Sequence, residues 1–136
     1  MSEGIAELGS ELLLSNEGGD RLTAVLASVA GIELDLPHAL ALSRAREPLG
    51  WAEVNASLML HEDGASAHEV EAYLARWGLL TPDLAAHVVR FITEPSSRTY
   101  IVTYSAGREL CRGYVDGDPA RFRSLLTEQL RVSDLR

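Results

Sequence analysis

The stretch Ser96–Tyr114, SSRTYIVTYSAGRELCRGY, decides the fold, because a strand and a helix compete there for the same residues. It holds three of the four tyrosines and the only cysteine. Thr99, Ile101, Val102 and Thr103 are strand formers, and Tyr100, Val102 and Tyr104 alternate at period two. At a helical period, Tyr100, Tyr104, Gly107, Cys111 and Tyr114 fall at i, i+4, i+7, i+11 and i+14 on one continuous face. Length favours the helix, since the pattern runs on through Ala106 to Leu110, past the usual extent of a strand.

Working outward, helix start and stop signals recur at short spacing, and no other stretch offers a convincing strand pair. The expected class is all-α, a single-domain bundle of about seven helices over residues 1–136. Ile5, Leu8, Leu12 and Leu13 share a face, with Glu3 in a first turn where the helix dipole favours a carboxylate. Asn16–Asp20, NEGGD, reads as a turn. Leu22, Val25, Leu26 and Val29 form a second apolar stripe, ended by Gly31 as a left-handed cap. Asp35 and Pro37 open a third helix, and Pro48 with Gly50 either kinks or ends it.

From Trp51 the pattern resumes, with Val54, Leu58 and His61 on one side and Ala52, Ala56, Met59 and Leu60 covering much of the rest, as in a buried helix. Ser66-Ala67-His68-Glu69 is a capping box. The helix that follows turns Val70, Tyr73, Leu74 and Trp77 inward and closes at Gly78. Thr81 and Pro82 cap the next, whose inner face reads as Leu84, His87, Val88 and Phe91. Asp116–Pro119 is a turn and cap before a last helix with Phe122, Leu125, Leu126 and Leu130 facing in. Residues 132–136 are expected to fray.

Composition narrows the function classes. No apolar run approaches the ~18 residues needed to span a bilayer, and the N-terminal segment carries glutamates where a secretory signal carries basic residues. A cytoplasmic protein without membrane contact is expected. One cysteine leaves no internal disulfide and no multi-cysteine zinc site, and Cys111 reads as a small apolar packing residue. The net charge is −8, and every basic residue is arginine. Without lysine there is neither a Schiff base nor a Walker phosphate loop. Arginines interspersed with acids on a negative chain argue against nucleic-acid binding.

Common catalytic templates are missing. His61-Glu62 starts like the HExxH zinc helix, but position 65 is alanine and Gly64 breaks the helix before His68. His61, Glu62 and His68 stay open as a ligand set beside the reading of helix-end histidines. His38 and His87, set within or beside apolar stripes, read as packing histidines. Tyr100 and Tyr104, one turn apart with Arg98 and Arg108 nearby, could offer donors to an oxyanion, or lie at the edge of the core beside solvated arginines.

Three blocks carry a resemblance: Ser2–Ala6 (SEGIA), Asn55–Gly64 (NASLMLHEDG) and Arg98–Gly107 (RTYIVTYSAG). Together they resemble the carboxyl-terminal portion of bacterial helical proteins related to the gluzincin zinc metallopeptidases, similar to carboxypeptidase Taq. The resemblance implies that Glu3 of the E-G-x-A block corresponds to a zinc ligand. It also implies that Tyr100 or Tyr104, with Arg108, is a candidate donor to a developing oxyanion. The family's histidine pair and general base lie upstream of that block, whereas only Met1 and Ser2 precede Glu3.

The leading expectation is therefore a metallopeptidase-like helical half or remnant without hydrolase activity or a cofactor alone. It would self-associate as a homo-oligomer or pair with an upstream subunit, and bind zinc only with such a complementing chain. The alternative is an independent all-α interaction module.

Overall fold

The computed structural model describes residues 1–14 and 17–135. Among these, eight α-helices follow in order: α1 (Ser2–Leu14), α2 (Glu17–Val25), α3 (Leu36–Arg46), α4 (Gly50–His61), α5 (Ala67–Trp77), α6 (Pro82–Thr93), α7 (Val102–Val115) and α8 (Pro119–Thr127). A π-helical turn, Leu26–Ala30, continues α2, and 3-10 turns occupy Glu47–Leu49 and Val132–Leu135. The described residues contain no strand, so the all-α expectation holds. In the contested stretch residues 95–101 form turns, and the helix begins only at Val102. The amides of Thr103 and Tyr104 reach back three residues to the carbonyls of Tyr100 and Ile101, a tight entry into α7.

The local signals act as their chemistry requires. Ser66 Oγ accepts from the Glu69 amide, and Glu69 Oε2 accepts from the Ser66 amide at 2.8 Å, completing the capping box. Thr81 caps α6 with Pro82 in its first turn, and Asp118 caps α8 ahead of Pro119. Asp35 Oδ1 accepts from the His38 amide at the start of α3. Gly31, at φ 64°, ends the π-helical turn in the left-handed conformation. Pro48 lies in the 3-10 turn that joins α3 directly to α4, so α3 ends before it without an intervening loop.

One turn expected from sequence is helical instead. Glu17–Asp20 belongs to α2, while Asn16 lies outside the described residues. The glycines there serve close approach. A Cβ on Gly18 would collide with the Leu13 carbonyl oxygen, and one on Gly19 would stand 2.7 Å from the Leu14 carbonyl oxygen and 2.5 Å from Leu36 Cδ2.

The chain forms two compact units, Met1–Arg46 with Arg108–Arg136, and Glu47–Gly107. Chain length sets an expectation of one core; the described residues bury two apolar clusters, one within each unit. In the first unit Leu8, Cys111, Val115, Leu125 and Leu135 are buried together, with Ile5, Leu12 and Phe122 packed around them. Cys111 is fully buried, and that burial raises its thiol pKa above the ordinary value, as suits an apolar packing residue. The carboxyl-terminal segment does not fray through Leu135. The Arg131 amide donates to Asp134 Oδ2 at 2.8 Å, and Leu135 is buried, while Arg136 lies outside the described residues.

In the second unit the core comprises Ala56, Val70, Leu74, Ala85, Val89, Ile92 and Ile101. Several inward assignments are corrected here. Leu58, Trp77, Leu84 and His87 are exposed, and in the first unit so is Leu126. In α6 the apolar residues Leu84, Ala85, Val88, Val89, Phe91 and Ile92 form one broad arc, wider than a single contact face, so the stripe alone leaves the centre of that face open. Ala85, Val89 and Ile92 are the buried residues, one position round from the expected stripe, and Val88 and Phe91 pack against the same core from its edge. Helix α4 likewise packs through Ala52, Val54 and Ala56 and leaves Trp51 and Leu58 outside.

Candidate functional site

The tyrosines of the Ser96–Tyr114 stretch do meet. Tyr100, on the turn before α7, and Tyr104, in its first turn, stack edge to face with ring centroids 5.6 Å apart and planes at 83°. Both rings are more than one-third exposed. Arg98, also in the second unit, accepts from Ser57 Oγ through its backbone carbonyl at 3.3 Å.

Glu3 and Arg108 belong to the first unit. Glu3 is half-buried in the first turn of α1. Arg108 directs Nη1 to Glu7 Oε2 at 3.7 Å. One turn further along both helices, Arg112 Nη2 donates to the two carboxylate oxygens of Glu11 at 2.7 and 3.0 Å. Residues spaced by four on α1 thus face residues spaced by four on α7, and the two pairs tie the helices side by side. Sequence reasoning missed this ladder, although Glu3, Glu7 and Glu11 recur at the same period as Arg108 and Arg112.

Of the histidines, His61 takes a structural position, whereas His38 and His87 do not pack as the sequence reading expected. His61 Nε2 donates to the Ile92 carbonyl oxygen at 2.7 Å, joining the end of α4 to α6. His68 sits in the first turn of α5, and His38 and His87 are exposed. Catalytic zinc takes three protein donors and keeps a position open. Among the described residues no three histidine, cysteine, aspartate or glutamate side chains converge in such a group.

The first unit also carries an open apolar groove. Leu13, Leu14, Leu22 and Val25 wall an open groove of about 450 Å³ between α1 and α2, with Ser10 and Arg21 at its rim. Its apolar residues were legible as stripes, but a stripe does not say whether another element covers it. Leu13 is 69% exposed and Val25 49%.

No protein-family model matches the chain, and no curated protein or solved structure is similar to it. Among the described residues no helix is long and apolar enough to cross a membrane.

Proposed function

We propose that this chain is a helical protein-interaction module whose working surface is the groove between α1 and α2. The groove itself carries the reading. An open apolar channel between two helices is the shape that receives the apolar face of a third, and exposed apolar surface of this kind marks interaction sites. Arg21, exposed at the rim, adds a cation that can fix the orientation of an incoming segment. The lone free thiol, Cys111, suits a cytoplasmic setting.

The test is an NMR titration of labelled protein with leucine-bearing amphipathic helical peptides. Saturable shifts centred on residues lining the groove are expected, and Leu13→Asp should abolish them. Shifts that do not saturate, or that persist in the variant, refute the reading.

A second reading, a metallopeptidase-like half that acts with a histidine-bearing chain, rests on the sequence blocks around Glu3 and the tyrosine pair. Alanine at Glu3, Tyr100 and Tyr104 separates the two. An interaction module keeps peptide binding in the groove, whereas an assembled peptidase loses turnover.

A further inference from the structure

The groove between α1 and α2 is apolar except at two places. Ser10 Oγ donates to the Ala6 carbonyl oxygen at 3.2 Å, so its proton is engaged within its own helix. Arg21 is the one charged residue among those lining the groove. It is exposed, and among the described residues no acid pairs with it.

The nearby acids do not cancel that charge inside the groove. Glu7 and Glu11 of α1 meet Arg108 and Arg112 of α7, and neither lines the groove. Asp20, exposed and next to Arg21 in the chain, is not a lining residue either. On a chain of net charge −8 the groove is a local exception, an apolar channel whose own charge is positive.

Shape narrows the occupant further. The α2 side of the groove runs from Gly18 to Val25, about 10 Å at the helical rise per residue, or roughly two turns. The channel is open along one side. A bound alkyl chain would leave that side of itself in water, whereas an amphipathic helix turns its polar face there.

We infer that the groove's occupant is a helix of a partner protein that carries leucine-type side chains over about two turns and a glutamate or aspartate set to meet Arg21. This rests on the proposed docking role of the groove and names the charge of its partner. Beside apolar walls a carboxylate–guanidinium contact is screened less than a pair in open water, so it selects among helices of equal apolar content.

Two synthetic peptides test it. Both are amphipathic helices with leucines at i, i+3, i+4 and i+7, one with glutamates flanking the stripe and the other with lysines at the same positions. At about 0.15 M salt, repulsion from the acidic chain is screened beyond about 8 Å while a contact pair is not. Titration calorimetry should then find the glutamate peptide bound at least about tenfold tighter. Arg21→Gln should bring the two affinities together, and Arg21→Glu should invert their order. Arg21 is exposed, so both variants should fold as the parent does, with circular dichroism as the check. Equal affinities in the parent, a preference for lysine, or a glutamate preference that survives Arg21→Gln overturns the inference. Equal affinities that Leu13→Asp still abolishes leave the groove standing as a docking surface and remove only the acidic partner. Binding of neither peptide removes the two together.

Discussion

Leu79 holds φ at 54° just after α5, a conformation that costs a side-chain-bearing residue roughly 1–2 kcal/mol and that glycine adopts freely. The preceding Gly78 does not use its freedom, with φ at −86°. Leu79 is 71% exposed, so little burial is at stake. Leu79→Gly should stabilise the protein by roughly 0.5–1 kcal/mol, read as a higher urea midpoint at unchanged slope; a lower midpoint would falsify the strain argument. Two carboxylates set opposite pH slopes. Burial raises the Glu53 pKa above its ordinary 4.5, so the folded state holds that proton longer than the unfolded state. Stability from this group is present below 4.5 and declines as pH rises through the raised value. Hydrogen bonds from Ser66 lower the Glu69 pKa, so its contribution is present above 4.5 and is lost as pH falls through the lowered value. In urea midpoints followed against pH, Glu53→Gln should flatten the decline above 4.5, and Glu69→Gln the loss below it. Exchanged or unchanged slopes would sink both assignments.

At the scale of the helix, capped starts were legible, as were most inner residues of α1, α5 and α8, whereas the inner face of α6 was not. Ser66, Thr81 and Asp118 announce their helices because a cap is a bond between residues two or three apart, wholly contained in the local sequence. The inner face of α6 depends on which neighbour arrives and how closely. Of the expected stripe, Val88 and Phe91 pack against the core while Leu84 and His87 are exposed, and the centre of the face is Ala85, Val89 and Ile92. The same blindness applied to Gly18 and Gly19, whose spelling is that of a turn and whose use is close helix packing. Gly19→Ala discriminates these uses. In an uncrowded helix alanine gains up to about 1 kcal/mol over glycine, but here its Cβ meets the Leu14 carbonyl oxygen, which has little room to retreat. The substitution should instead destabilise by about 1–3 kcal/mol in chemical unfolding, the cost of overpacking. The candidate site divides in the same way. The tyrosine pair is one turn apart and could be read from spacing, whereas the ladder of Arg108 and Arg112 on Glu7 and Glu11 joins residues about a hundred positions apart.

For the molecule as a whole, the decisive quantity is where its −8 charge lies. Helix α3 contributes two positive charges, which leaves −10 on all other residues. Part of that charge is neutralised inside the first unit, where Arg108 and Arg112 face Glu7 and Glu11. Attraction between partly exposed charges is screened within about 10 Å at 0.1 M ionic strength, whereas apolar contact is not. Arg112→Ala should therefore destabilise the protein most at low salt, and in urea unfolding across a salt series the gap to the parent should narrow as salt rises. A gap that stayed constant would mean that Arg112 acts through packing of its stem and not through its charge.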